Sequence, residues 1–247
     1  MAQWSDPKAN AIPRAATTAV GEAAFDRGLR SYMLSVYNTM ASGVLLTGIV
    51  ALLFASGGAT SLAAQLFSQG GPLKWIVMLA PLAVVMVLSF RANTLSLGAA
   101  KGLYWAFAVL MGLSLSTIFL VYTGTSIAQT FFATAAAFAG LSLFGYTTKR
   151  NLSAIGTFLI MGVVGLLVAM VINMFLQSNA MAFAISAIGV LLFAGLTAHD
   201  TQKIKSMYFT IQGSDLLGKS VVMGALTLYL DFINLFTFLL QLTGDRR

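Results

Sequence analysis

The sequence predicts an all-α membrane protein of about seven transmembrane helices. Two observations carry that prediction. Of 247 residues, 58% are hydrophobic and only 9% are charged, against about a quarter charged in soluble domains. Mean hydropathy is +0.88, so too few charges exist to cover a water-facing surface of this size. The apolar residues are also gathered into runs of about 20, the length a helix needs to cross a bilayer. No run alternates with the period of two that a lipid-facing barrel strand requires.

The elements follow in order. Residues 1–30 read as a polar, small-residue-rich tail without an early apolar stretch, so no cleaved signal peptide is expected and the first span itself directs insertion. The membrane domain covers residues 31–243, and 244–247 form a short C-terminal tail. The first span runs from Tyr32 to Phe54, followed by a Gly/Ser-rich loop from Ser56 to Gly71. The second runs from Leu73 to Phe90 and contains Pro81, which removes a backbone hydrogen bond and predicts a kink. The third covers Gly102 to Tyr122, the fourth Ile127 to Thr147 and the fifth Ser153 to Leu176. The sixth begins near Ala180 and reaches Asp200 or a turn beyond. The seventh covers Val221 to Leu242. Gly98 and Gly102 bracket Lys101 at a helix boundary and read as a turn rather than a dimer motif.

Charge sets the orientation. Arg91 and Lys101, Lys149 and Arg150, and Lys203, Lys205 and Lys219 fall in alternate loops, together with Arg27 and Arg30 before the first span. Inner loops collect Lys and Arg, so this side, with the N-terminus, is expected in the cytoplasm of a multi-pass inner-membrane protein. The same rule accounts for the net charge of +7, and basic residues scattered in ones and twos do not suit nucleic acid. Seven full spans put the C-terminus outside, yet it ends Asp245, Arg246, Arg247, so the last segment either crosses against the rule or does not cross fully. The absence of cysteine excludes disulfides and thiol chemistry.

The acidic residues locate the candidate site. Asp6, Glu22 and Asp26 lie in the N-terminal tail, Asp215 in a basic loop and Asp245 at the C-terminus. Only Asp200 and Asp231 fall within or at the edge of apolar spans, where a carboxyl costs roughly 2.5–3.5 kcal/mol at a helix centre. Ser186, Phe193 and Thr197 share a helical face with Asp200; Thr227, Asn234 and Gln241 share one with Asp231. Two neighbouring helices thus each present a polar stripe, and Thr197, Thr227 and Asn234 extend the path past the carboxyls. The two aspartates meet if the sixth helix extends past Asp200, with Lys203 and Lys205 snorkelling, and the seventh begins late. Two close carboxyls in a low dielectric titrate as one coupled unit, and the doubly ionised pair offers oxygen to a hard cation such as Ca²⁺. The alternative is that each Asp makes a separate structural hydrogen bond. His199 adjoins Asp200 and either tunes it or bonds a backbone carbonyl; a lone histidine does not suggest a metal site. Arg91, ending the second span, is either a latch on the acidic pair or a positive-inside anchor.

The segments Gly195-Leu-Thr-Ala-His-Asp-Thr-Gln-Lys-Ile-Lys205 and Leu228-Tyr-Leu-Asp-Phe-Ile-Asn-Leu-Phe236 resemble the Bax inhibitor-1 (transmembrane BAX inhibitor motif) family. Phe144-Gly-Tyr-Thr-Thr-Lys-Arg150 and Tyr32-Met-Leu-Ser-Val-Tyr-Asn-Thr-Met40 are similar to its bacterial members. The resemblance implies a seven-helix fold with the last helix central. It also implies a pH-sensitive calcium leak gated by a di-aspartyl pair, here Asp200 and Asp231, with transient Ca²⁺ and no resident cofactor, and an arginine latch, here Arg91. Other bacterial relatives are modulators of a membrane protease, so a non-transporting regulator that binds such a protease or another membrane protein is the alternative. An intramembrane aspartyl protease is disfavoured, because Leu228, Tyr229 and Leu230 stand where such enzymes place Gly-x-Gly before their second Asp. A non-enzyme is expected.

Overall fold

A computed structural model describes residues 14–68, 71–92 and 94–247, with side chains from Phe25 onward. The described chain is mainly helical, and its only β-structure is one isolated bridge. Helix α1 spans Arg14–Ala55, α2 Leu62–Ser68, α3 Pro72–Phe90, α4 Leu97–Leu115, α5 Thr117–Val121, α6 Gly124–Thr147, α7 Ser153–Leu176, α8 Asn179–Ile211 and α9 Leu217–Thr243. Seven segments are long and apolar enough to cross a membrane, with α4 and α5 forming one of them around a break at Ser116.

Helix α9 is the axis. Two-thirds (67%) of its spanning window is buried, against 17% for α7 and 11% for α3. It packs on α8, α1, α6 and α4, whereas α7 packs on α8 and α3 on α4. Helix α9 also serves both hydrophobic cores. Phe232, Phe236 and Leu240 join the larger core with α1, α4 and α6, while Leu235 and Phe238 join the smaller one with α7 and α8. The family-based expectation of a central last helix is met.

Several sequence expectations change at the edges. Helix α1 already includes Arg14, so residues 14–30 of the polar tail are helical, and residues 1–13 lie outside the described residues. The Gly/Ser-rich loop holds a 3₁₀ turn at Gly58–Thr60 and the two-turn α2, capped by the Ser61 hydroxyl accepting from the Ala64 N–H. Gly98 and Gly102 lie in the first turns of α4 rather than in a turn, with open space beside both. Helix α3 runs through Pro81.

The geometry bears on the C-terminal question. Helix α9 is long enough to cross fully, since 27 residues span about 40 Å. The tail then pairs with the α5–α6 connection. Thr123 N–H donates to the Asp245 carbonyl (3.0 Å), Arg247 N–H to the Val121 carbonyl (2.9 Å), and the Arg246 guanidinium lies 5.9 Å from the Tyr122 ring. The C-terminus therefore lies opposite the basic loops, and Arg246 has an aromatic partner there.

Candidate functional site

Helices α8 and α9 are antiparallel neighbours, and their polar stripes face each other. Ser186 donates to Gln241 Oε1 at 3.0 Å, and the Phe193 and Phe238 rings stack with centroids 5.8 Å apart. Further along this seam lie the two carboxyls. Helix α8 continues to Ile211, so Asp200 sits about 16 Å from its end. Helix α9 begins at Leu217, earlier than the expected Val221, which puts Asp231 about 21 Å in. Both distances start from the basic side, so the two residues differ in depth by about one turn. The extension of α8 achieves this, and a late start of α9 is not needed.

The two carboxyls have different surroundings. Asp231 is 4% exposed, and its Oδ2 is buried with no hydrogen-bond partner. Asp200 is the neighbouring charge that acts on it. Asp200 is partly exposed, and its Oδ1 lies 2.8 Å from His199 Nδ1, with 14% and 13% of the two side chains accessible. An ionised Asp200 accepts this bond from Nδ1–H. The ring of His199 then lies against Gly156 of α7, where a Cβ would collide with Nε2. Only a residue without a side chain allows the imidazole to occupy that place.

The remaining predicted residues divide. Thr197, Thr227 and Asn234 lie on α8 and α9, but each donates to a carbonyl of its own helix: Phe193, Met223 and Leu230 respectively. Their oxygens remain acceptors along the seam. Arg91 is not brought to the aspartates. It is exposed at the C-cap of α3, a helix that packs on α4. Of the two readings of Arg91, this place at the end of α3 matches the anchor. Lys205 does not snorkel to water; its Nζ donates to the Tyr146 carbonyl at 2.7 Å and lies 4.7 Å from that ring, closing the C-terminal end of α6. Among the described residues no three His, Asp or Glu side chains gather. Two carboxylates alone cannot hold Ca²⁺ firmly, because it takes about six to eight oxygens.

Sequence reasoning missed a set of hydroxyl bonds that tie α9 and α8 to the outer helices. Tyr229, on another face from Asp231, donates to Thr47 of α1 at 2.7 Å, and Thr47 donates on to the Ala108 carbonyl of α4. Tyr32 meets Ser220 at 2.7 Å, and Tyr37, Ser142 and Thr201 form a chain across α1, α6 and α8 at 2.6 and 2.9 Å. The available signal was the tyrosines and small hydroxyls inside apolar spans, which need partners on neighbouring helices.

The fold and seam define a multi-pass membrane protein whose central helix carries a buried carboxyl beside a second one. The chain belongs to the family described as inhibitor of apoptosis-promoting Bax1 (Bax1-I), whose family model matches residues 29–247. It is 46% identical over 222 residues to the inner membrane protein YbhL of Escherichia coli K12, covering 89% of this chain and 94% of that one. It is also 46% identical over 232 residues to uncharacterized protein RP147 of Rickettsia prowazekii, covering 94% and 96%. A protein of Deinococcus radiodurans is 41% identical over 218 residues, covering 88% and 92%.

Proposed function

We propose that this protein is a pH-regulated cation leak of the inner membrane, passing Ca²⁺, with Asp200 and Asp231 as its gate and its N-terminus in the cytoplasm. The observation that supports this most is the Asp231 carboxyl oxygen, buried and without a partner beside a second carboxyl. Leaving a buried polar group unsatisfied costs about 1–3 kcal/mol, more when it is charged. Acids in membrane spans are held at that cost chiefly on ion and proton pathways.

The mechanism follows from charge. With one proton on the pair, a single negative charge lies in the α8–α9 seam and the helices pack as they do here. With both carboxyls ionised, two like charges repel across the seam and their oxygens become ligands for a passing cation. Flux should therefore rise as pH rises. The partly exposed Asp200 would meet the ion first from the basic side, and Asp231 would be the inner step. Ser186, Thr197 and Gln241 add neutral oxygens along the same seam. Ca²⁺ is the cargo, held transiently.

The test is Ca²⁺ flux into liposomes carrying the full-length protein across a pH series, for wild type and Asp231→Asn. The expected result is flux that rises with pH in the wild type and low flux at every pH in the variant, whose pair cannot become doubly charged. Wild-type flux no greater than in empty liposomes would sink the leak. A variant with the wild-type pH profile would remove the pair from the mechanism. Absence of flux together with co-purification of a membrane protease would favour a regulator instead.

A further inference from the structure

A second polar feature lies on the opposite side of His199 from Asp200. The α6–α7 loop, the start of α7 and the last turns of α8 enclose an open cleft of about 590 Å³ on the basic side. Lys149, Arg150 and Lys203 line it, with Asn151, Ser153 and Ser206 between them. No acidic side chain lines it, and none of the three cations has a carboxylate partner among the described residues. Three uncompensated cations around one cavity repel one another, so an anion between them is favoured.

The cleft is held open by its own wall. Gln202 accepts from the Leu152 N–H and donates to the Arg150 carbonyl, both at 2.8 Å. These bonds fix the loop that presents Lys149 and Arg150 against α8, which presents Lys203. The floor is Gly156 and the His199 ring. On its outer side the cleft opens over Thr157 and Ile160, both exposed on α7. Below them the exposed apolar side chains Met161, Val164 and Val168 continue down α7.

That combination specifies the ligand class. A soluble anion would use the cations but not the apolar wall running away from them. A phospholipid uses both, with its phosphate among the cations and its acyl chains along α7. Basic pockets between transmembrane helices on the cytoplasmic side bind anionic headgroups in this way. We propose that the cleft between the α6–α7 loop and α8 binds an anionic phospholipid, with Lys149, Arg150 and Lys203 around the headgroup phosphate. The hydroxyl and amide groups of Ser153, Ser206 and Asn151 face the polar remainder of the headgroup. Lipid binding here does not require that the protein conduct ions.

Native mass spectrometry of the full-length protein, titrated with phosphatidylglycerol or phosphatidylcholine, tests the proposal. Wild type should retain phosphatidylglycerol preferentially. A cation near an anionic lipid surface contributes about fivefold in affinity, so Lys149→Gln/Arg150→Gln/Lys203→Gln should weaken binding on the order of a hundredfold. Removing three cations elsewhere on the basic side, Arg27→Gln/Arg30→Gln/Lys101→Gln, should leave most of the binding intact. Thr157→Trp fills the cleft without changing charge, serves as the second variant if the triple one misfolds, and should also lose the lipid. Equal retention of the two lipids, equal loss in the control triple variant, or undiminished binding in Thr157→Trp would overturn the proposal. So would displacement of the lipid by excess inorganic phosphate bound at the same affinity, which would assign the cleft to a soluble anion.

Discussion

Thr47 sits among apolar neighbours in α1, and its hydroxyl is used twice, once as donor to the Ala108 carbonyl and once as acceptor from Tyr229. The Tyr229 ring is fully buried and packs edge-on against Phe107 and Tyr104 of α4. One hydroxyl pair thus joins α1, α4 and α9 at the centre of the bundle. Hydrogen bonds between membrane helices average only about 0.6 kcal/mol, because the unfolded chain also finds partners. Tyr229→Phe should therefore lower stability by about that amount, and by no more than about 1.7 kcal/mol. A cycle with Thr47→Val, followed by unfolding in a denaturing detergent, should return a coupling of the same size. A coupling indistinguishable from zero would mean that ring packing alone holds Tyr229. The contrast with Asp231 is instructive at this scale: Thr197, Thr227 and Asn234 find a partner on their own helices, and the Asp231 Oδ2 finds none.

At the scale of elements, helix positions were legible because apolar runs of bilayer length leave little freedom. The pairing of stripes was legible for the same reason, since a polar face in lipid must turn inward, and Ser186 does meet Gln241. The length of α8 was not legible. Lys203 and Lys205 signal the end of a span, yet the backbone continues three turns past Asp200 because Ile204 and Tyr208 bury against α9 and α1. Sequence left two readings open for Arg91 because it gives that residue's helix but not the helix's peripheral place in the bundle. The approach of α6 to α8 was equally hidden and rests on Gly145, where a Cβ would collide with the Ala198 carbonyl. That contact is backbone against backbone and cannot be relieved by a rotamer. Gly145→Val should force α6 and α8 apart and cost about 1–3 kcal/mol, the range for overpacked cores. Gly140, on the same helix with open space beside it, is the control; Gly140→Ala should be neutral or stabilising by up to about 1 kcal/mol. Equal effects of the two changes in a thermal unfolding assay would show that the α6–α8 approach is not tight.

For the whole molecule, the odd number of spans decides which groups can ever meet. The loop with Lys149 and Arg150 and the last turns of α8 with Lys203 and Lys205 share one side, while the tail at Asp245–Arg247 is pinned to the α5–α6 connection on the other. The positive-inside rule alone would pull Arg246 and Arg247 to the basic side. Against it stand the length of α9, its burial along the axis, and the two backbone hydrogen bonds that fix the tail once it has crossed. Withdrawing α9 would expose both hydrophobic cores, so burial outweighs two terminal charges, each worth about 1 kcal/mol at a membrane surface. The absence of native cysteine makes this directly measurable. In cells, single variants Ser206→Cys and Arg247→Cys should react with a membrane-impermeant maleimide from opposite faces. Arg247→Cys should label in intact cells, and Ser206→Cys only after the membrane is opened. Labelling of both from the same face would mean that the last helix does not cross. Asp231 would then not reach the depth of Asp200, and the carboxyl seam would have to be abandoned with it.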